Sequence, residues 1–590
     1  MHRLHRASLF AALAALTLSA GPLGAQTSRR FGLRADPAVL DSAAVERLAD
    51  TLPLRARVAQ LVMPWIPGSY AAFDDSAFTV MQGWVDSLEV GGIIVSIGSP
   101  LDVAMKLNRL QYRSVLPLLV AAAFESGTSI RLTGATPFPS NMAVAAGGRE
   151  QDAYEVGRVT ALEGRSVGVH LAFAPVADIN NNPANPIINT RSFGEDPAAV
   201  GRLVSAAVRG LQENGMLATA KHFPGHGDTE TDSHIALPVI KATWPRFDSL
   251  ELVPFRAAVD AGVAFVMSAH LAAPALASAP DRPATLDPAV MSQLLRDSLH
   301  FGGMVVTDAL EMGGIVSKYG AAEAAVLAFE AGADLLLQPT DPGAVIEAMV
   351  TAVESGRISE ERLDRSVRRL LRLKHRLGLF ARRYVPLDSV PEVVGSGRFL
   401  EAARDIAQRS LVLAVDSLGS VDSLRSGRRS IALVTYGEDN AATVGGTLHR
   451  RLRDAGHRVT LFRLWPASGE ASFDSARAVI RRSEYTVFAA SVRVSAWKGS
   501  VGLPDQVAEL IDRTMRRRNA VLVSLGSPYI GLQVAHLRSY LIAWDSRSLA
   551  EWAAARALTG EASITGRLPV SLPPRFPVGS GLQRAGRGWE

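Results

Sequence analysis

Residues 217–234 read LATAKHFPGHGDTETDSH, in which a short apolar run leads directly into a polar loop. The loop holds three of the chain's twelve histidines, together with acids, glycines and a proline. Titratable side chains on a loop that a rigid element supports are typical of catalytic sites. The stretch therefore predicts a strand that ends at a reactive loop.

Similar apolar and β-branched runs recur between about residues 55 and 340, separated by helix-like segments. Eight runs fit this description: 58–63, 92–96, 118–124, 171–176, 217–220, 264–268, 304–307 and 334–338. Strands that alternate with helices predict a parallel sheet. Eight such units favour a closed (β/α)₈ barrel, with an open doubly wound sheet as the alternative.

Polar side chains follow the carboxyl ends of these runs and do not precede their starts. They are Glu125, Asp178, Asn180, Lys221, His222, His270 and Asp308. In a barrel all of them would meet at the carboxyl-terminal rim, which is where barrel enzymes build their active sites.

The remainder of the chain predicts a second unit. Apolar residues between 363 and 373 trace one face of a closing helix, and glycines and prolines punctuate the segment after it. Five further strand-like runs, at 431–436, 459–462, 485–490, 521–525 and 541–544, suggest an α/β three-layer sandwich. We therefore predict a barrel at 37–380, a linker at 381–401 and a structural or substrate-capping domain at 402–580.

The first 25 residues are typical of an export signal. Arg3 and Arg6 supply positive charge, an apolar stretch follows, and Leu23-Gly24-Ala25 ends in small residues. The apolar stretch is too short to span a membrane, and no later segment is long enough, so we expect no membrane span. The chain has no cysteine and hence no disulfide. We expect a periplasmic or secreted protein.

The composition is that of a globular protein, with 48% hydrophobic and 20% charged residues. Removal of the signal would lower the formal charge from +5 to +3. No long basic run is interleaved with aromatic residues, so we predict no nucleic-acid partner. The oligomeric state is left open.

Two groups of residues have the chemistry of a catalytic site. Asp308 directly follows an apolar run, where it either faces the barrel mouth or caps the next helix. Asp232 and His234 lie two residues apart, where an acid can orient an imidazole and stabilise its charged form. The density of histidines and aspartates in this loop is equally compatible with a metal site.

Longer motifs help to decide between a catalytic acid/base pair and a metal site. The segment KHFPGHGDTETDSH, RSFGEDP at 191–197, APVADINNNP at 174–183 and VTDALEMGG at 306–314 resemble the bacterial β-N-acetylglucosaminidase branch of glycoside hydrolase family 3. The likeness extends to GRISEERLDRSVRRLLRLK, which closes the first unit, and to TGRLPVSLP near the carboxyl terminus. It therefore covers nearly all of the chain that follows the signal.

The resemblance implies Asp308 as nucleophile and His234 with Asp232 as the acid/base dyad of a retaining hydrolase. It implies no cofactor and no metal, with His226 and Asp228 shaping the loop. Four residues would hold the sugar's hydroxyl and N-acetyl groups: Arg131, Arg191, Lys221 and His222. The implied substrate is a terminal β-N-acetylglucosaminide from cell-wall or chitin-type oligosaccharides, and phosphorolysis is permitted as a minor activity.

One position departs from the family pattern, because Ala123 stands where the family has an aspartate that binds sugar hydroxyls. A methyl group accepts no hydrogen bond, and loss of a charged acceptor weakens binding by about 2 to 4 kcal/mol. Either the substrate differs at that end, another acceptor substitutes, or the enzyme is weak. A weakly active or non-catalytic sugar-binding protein is therefore the alternative prediction.

Overall fold

The structure is a computed structural model that describes residues 42–72, 74–439 and 442–587. The predicted export signal at 1–25 lies outside the described residues. No helix among the described residues is long and apolar enough to cross a membrane.

The amino-terminal part of the chain alternates short buried strands with helices. The strands are β1 (Val62–Met63), β2 (Trp65–Ile66), β3 (Gly92–Val95), β4 (Leu119–Ala122), β5 (Leu171–Ala172), β6 (Thr219–Phe223), β7 (Phe265–Ser268), β8 (Met304–Val306) and β9 (Leu336–Leu337). They pair in parallel as β2-β3-β4-β5, β6-β7-β8 and β1-β9. Single parallel bridges join Leu171 to Leu217 and Val306 to Leu335. The prediction of parallel sheets is confirmed.

Helices precede, separate and follow these strands. They are Ser42–Thr51, Leu54–Ala59, Ser76–Asp86, Pro100–Arg113, Asn141–Ala146, Glu150–Ser166, Pro197–Gln212, Val253–Asp260, Ala289–Ser298, Gly313–Tyr319, Ala321–Ala331, Pro342–Glu354 and Glu360–Arg376. The predicted closing helix is confirmed as Glu360–Arg376, which begins where the Ser359 hydroxyl accepts the N–H of Arg362.

The first predicted strand, 58–63, is wrong over its first four residues. Val58 and Ala59 belong to the helix Leu54–Ala59, which follows Pro53, and the strand begins only at Val62. Periodicity cannot separate the buried end of a helix from the start of a buried strand when the two adjoin.

The carboxyl-terminal part contains a six-stranded sheet in the order β10-β15-β14-β13-β11-β12. Its strands are β10 (Val412–Asp416), β11 (Ser430–Gly437), β12 (Arg458–Leu464), β13 (Tyr485–Ser491), β14 (Asn519–Ser524) and β15 (Ser539–Ile542). Its helices are Gly397–Arg409, Ser420–Arg425, Gly446–Asp454, Glu470–Arg481, Asp505–Arg517 and Ser548–Thr559. The predicted runs match β11 to β15, but β10 was missed. It follows a helix after only two residues and pairs antiparallel at the sheet edge.

Both faces of this sheet are buried, as alternate residues of β11 show. Ala432 and Val434 point into one apolar cluster, whereas Ile431 and Leu433 point into the other. The first cluster also contains Met142, from the helix Asn141–Ala146 of the amino-terminal part. The two parts of the chain therefore share a hydrophobic core.

Candidate active site

Residues at the carboxyl ends of the amino-terminal strands line a cavity of about 240 Å³. Six of the seven predicted site residues border it: Arg131, Arg191, Lys221, His222, His234 and Asp308. The seventh, Asp232, is buried directly behind His234. The sequence therefore identified residues that the fold brings together from four separate segments.

Asp308 lies two residues beyond β8, and its Oδ1 accepts the N–H of Ala309 at 2.8 Å. Burial alone would raise the pKa of Asp308, but the imidazoles of His222 and His270 hold it below its ordinary value. Asp308 is therefore an ionised carboxylate at neutral pH. His270 also fixes the adjoining backbone, because its Nε2 lies 3.0 Å from the Ala309 carbonyl oxygen.

His234 and Asp232 form a hydrogen-bonded pair on the loop. The Nδ1–H of His234 donates to Asp232 Oδ1 at 2.8 Å, and the main-chain N–H of His234 reaches the same oxygen at 2.9 Å. Asp232 Oδ2 accepts the main-chain N–H of Trp497 at 2.8 Å. Burial opposes the charge of Asp232, but these donors hold its pKa below the ordinary value. Because Nδ1 is bonded, Nε2 is the nitrogen free to exchange a proton with a ligand.

His222 forms a second pair with Asp178, at the end of β6. Its Nδ1 lies 2.7 Å from Asp178 Oδ2. Asp178 Oδ1 accepts the main-chain N–H groups of His222 and His226 at 3.0 and 2.7 Å. Although burial raises the pKa of Asp178, the imidazoles and N–H groups lower it overall. The Nε2 of the oriented ring lies 3.4 Å from a guanidinium nitrogen of Arg191, and both residues border the cavity.

The cationic residues of the site are balanced by Glu125. Arg191 donates to both Glu125 oxygens at 2.8 Å, and Lys221 Nζ donates to Oε1 at 2.6 Å. Burial raises the pKa of Glu125, but Arg191 and Lys221 outweigh it and hold the pKa well below its ordinary value. Sequence placed Glu125 at the strand end without assigning it a role. In the structure it is the counterion of Arg191 and Lys221, which border the cavity.

The loop itself is held by internal hydrogen bonds. Nδ1 and Nε2 of His226 each lie 3.0 Å from a hydroxyl, those of Thr229 and Ser233 respectively. Burial lowers the pKa of His226 to about 4, so this ring is neutral. Asp228 lies 3.4 Å from Arg246. Within the described residues, no group of three or more histidines or acids has the arrangement of a metal site.

Sequence reasoning missed the contribution of the carboxyl-terminal part. Besides Trp497, Tyr529 accepts the Asn180 side-chain N–H at 2.8 Å, and Ser527 accepts that of Asn189 at 3.2 Å. These residues belong to no motif and lie hundreds of positions from their partners, so no local pattern could have indicated them.

Ala123 borders the cavity, as the sequence predicts. Its neighbours in the cavity wall include Trp65, Ile94 and Gln338, whereas Glu125 is not among the lining residues. Glu125 therefore does not replace the missing acceptor at position 123.

The ionised carboxylate of Asp308 and the carboxylate-bound imidazole of His234 border one cavity. A glycoside-cleaving enzyme can use such a pair as nucleophile and general acid. Residues 53–373 match the glycosyl hydrolase family 3 N terminal domain. The chain thus belongs to glycoside hydrolase family 3.

Individual relatives agree with this assignment. The chain is 31% identical over 503 residues to a β-N-acetylglucosaminidase/β-glucosidase from Cellulomonas fimi, which covers 82% of this chain and 88% of that protein. A family 3 β-N-acetylglucosaminidase structure from Paenibacillus sp. str. FPU-7 matches with a TM-score of 0.79 and 35% identity, covering 88% of this chain and 99% of that one. A β-glucoside phosphorylase structure, BglX, matches with a TM-score of 0.82 and 25% identity, covering 92% and 99%.

Proposed function

We propose that the protein is a retaining β-N-acetylglucosaminidase that removes a terminal sugar through a covalent glycosyl-enzyme. The observation that carries the proposal is the Asp232–His234 pair on the same cavity as Asp308. The similarity to β-N-acetylglucosaminidases from Cellulomonas fimi and Paenibacillus supports the choice of sugar.

In the first step, Asp308 attacks the anomeric carbon while His234 Nε2–H protonates the departing oxygen. Asp232 stabilises the imidazole as it changes charge, since its carboxylate is held by the N–H groups of His234 and Trp497. In the second step, neutral His234 accepts a proton from water, which attacks the same carbon and releases Asp308.

The sugar would be held by the donors that line the cavity: Arg131, Arg191, Lys221 and His222. Arg191 and Lys221 share Glu125 as counterion, so both present oriented N–H groups to the cavity. Such donors suit the hydroxyl and acetamido oxygens of N-acetylglucosamine.

We also propose that the amino-terminal strands close into a (β/α)₈ barrel over residues 37–380, joined by a linker at 381–401 to a sandwich domain at 402–580. The bridges Leu171–Leu217 and Val306–Leu335 support closure, because they connect the three sets of parallel strands. The position of the cavity at the carboxyl ends of these strands agrees with that architecture.

Export to the periplasm or the medium is proposed from the composition of residues 1–25 alone. A cell-wall or chitin-derived oligosaccharide is the substrate that such a location would offer. A different β-sugar or weak activity is the alternative, and Ala123 is the residue that favours it.

Phosphorolysis is a second candidate reaction. A neutral imidazole repels phosphate less than a carboxylate base would, and one similar structure is that of a β-glucoside phosphorylase. Phosphate would then take the place of water in the second step.

The test is a hydrolysis screen of aryl β-glycosides, comparing the N-acetylglucosaminide, glucoside and xyloside, each with and without inorganic phosphate. We expect the N-acetylglucosaminide to be preferred, and activity to survive exhaustive chelation. Preference for another glycoside would overturn the substrate assignment, and a sugar phosphate product would favour phosphorolysis. Loss of activity on chelation would restore the metal interpretation.

A further inference from the structure

Trp497 is an exposed tryptophan that the carboxyl-terminal part places beside the acid/base pair. Its ring centroid lies 5.6 Å from that of His234, with the two rings inclined at 60°. The residue is 61% exposed and is not part of the cavity wall. The ring therefore lies beside the imidazole but outside the cavity that would hold the sugar.

The backbone that carries this ring is held by hydrogen bonds and an ion pair. The main-chain N–H of Trp497 is bonded to Asp232 Oδ2 at 2.8 Å. The next residue, Lys498, pairs with Glu438 and donates to the Arg493 carbonyl oxygen at 3.1 Å. The segment that carries the tryptophan is thus attached both to the dyad and to its own domain.

The backbone of Trp497 has a φ of +69°. Glycine and asparagine adopt this region readily, whereas a bulky aromatic residue does so rarely and only where its surroundings hold it there. At Trp497 this conformation accompanies the bond to Asp232 and a ring that lies beside His234.

The position of a general acid indicates which part of the substrate the Trp497 ring would contact. An acid that protonates the glycosidic oxygen touches the atom that joins the retained sugar to the leaving group. The leaving group would therefore lie beside His234 and outside the cavity that holds the retained sugar, and the Trp497 ring also lies beside His234 and outside that cavity. Aromatic rings offer a flat, rigid apolar surface for the C–H face of another ring.

We propose that Trp497 forms a leaving-group subsite, in which its ring packs against a pyranose that departs from the proposed reaction. The inference rests on the proposed function, since it requires His234 to act as the general acid. It assigns the carboxyl-terminal part a direct role in substrate recognition.

The test compares two substrates that share N-acetylglucosamine but differ in leaving group: N,N′-diacetylchitobiose, which releases a pyranose, and N-acetyl-β-glucosaminyl fluoride, which releases a ring-free ion. Trp497→Gly keeps the N–H bonded to Asp232 and accepts a positive φ, so it removes only the ring. Trp497→Asn is a second variant that tolerates the same backbone conformation. Trp465→Gly is the matched control, because Trp465 is 45% exposed in the same part of the chain, whereas the tryptophan ring found beside His234 among the described residues is that of Trp497.

We expect kcat/KM for the disaccharide to fall about tenfold in Trp497→Gly and Trp497→Asn. The loss on the fluoride should be at least about fivefold smaller than the loss on the disaccharide, and an unchanged circular dichroism spectrum shows that the variants are folded. Trp465→Gly should match wild type on both substrates. Equal losses on both substrates, or no loss on either, would overturn the subsite alone. Failure of the wild-type enzyme to cleave either substrate would overturn the proposed function and the subsite with it.

Discussion

The strand end at His222 and the loop at His234 carry the same chemical pair in different settings. Each imidazole is bonded through Nδ1 to a buried aspartate, at 2.7 Å for Asp178 and 2.8 Å for Asp232. The His222 side chain is 6% exposed, whereas that of His234 is 27% exposed. His222 is the penultimate residue of β6, whereas His234 lies on the loop beyond Gly225 and Gly227.

We propose that this difference in exposure separates a sugar-binding role for His222 from a proton-transfer role for His234. The imidazole of His222 is the more buried of the two, which suits it to hold a ligand hydroxyl in one geometry. A half-exposed imidazole on a loop can exchange its proton with water between the two steps of a double displacement. The exposure of the imidazole, and not the type of residue, therefore distinguishes the proposed binding role from the proposed proton-transfer role.

The largest effect should come from the carboxylate that both pairs face. Asp308→Asn removes the nucleophile while keeping the shape of the side chain, so we expect kcat to fall by at least about 10⁴-fold. Steady-state kinetics with an activated aryl substrate measures this, and the circular dichroism spectrum should be unchanged. Near-normal turnover by the folded variant would exclude Asp308 as nucleophile.

Substitutions in the Asp232–His234 pair should lower activity to an extent that depends on the leaving group, whereas substitutions in the Asp178–His222 pair should not. His234→Ala should lower kcat/KM by about 10² to 10⁴-fold for a disaccharide, because a sugar alkoxide departs poorly without a proton. For an activated phenolate the loss in the first step should be less than about tenfold. A leaving-group series measures the contrast. Equal losses across the series would remove His234 from the acid role.

The strand-end pair should respond in binding and stability. Asp178→Asn removes the charge that receives the Nδ1–H of His222 and two main-chain N–H groups, so we expect KM to rise about tenfold, with an equal loss for all leaving groups. The free energy of unfolding should fall by about 1 to 3 kcal/mol, since a buried donor loses its acceptor. Denaturant titration and a leaving-group series check both parts. A loss confined to poor leaving groups would contradict the division of roles.

The smallest effect concerns the cavity wall at Ala123. Glu125 is occupied by Arg191 and Lys221 and does not border the cavity, so it would not take the place of an aspartate at 123. Ala123→Asp should therefore raise kcat/KM on the β-N-acetylglucosaminide by about five- to thirtyfold. Ala123→Asn is the control for shape without charge. A fall in the aspartate variant would indicate a cavity built for a different sugar.

Sequence predicted the residues whose position follows from a strand end. Lys221, His222 and Asp308 each come directly after an apolar run, and parallel strands necessarily bring such residues to one edge. Trp497 could not be predicted in this way, because its contact with Asp232 depends on how two distant parts of the chain pack. The pairing of Glu125 with Arg191 and Lys221 could not be predicted either, because a counterion is recognised only when the positions of its cations are known.

Local pattern also failed where two elements adjoin. Val58 was predicted as strand because an apolar run does not reveal where a helix ends and a strand begins. Val412–Asp416 was missed for the related reason that it follows a helix with no glycine or proline between them. In both places tertiary pairing, and not sequence periodicity, sets the boundary.

The most direct test of the account is to identify the residue that carries the covalent intermediate. A slow-reacting fluorinated N-acetylglucosamine derivative should add the mass of one sugar to the protein, and peptide mapping by mass spectrometry should locate it on Asp308. Asp308→Asn should take up no label under the same conditions. Labelling of a different residue, or turnover of the derivative with inversion at the anomeric carbon, would contradict the proposed mechanism.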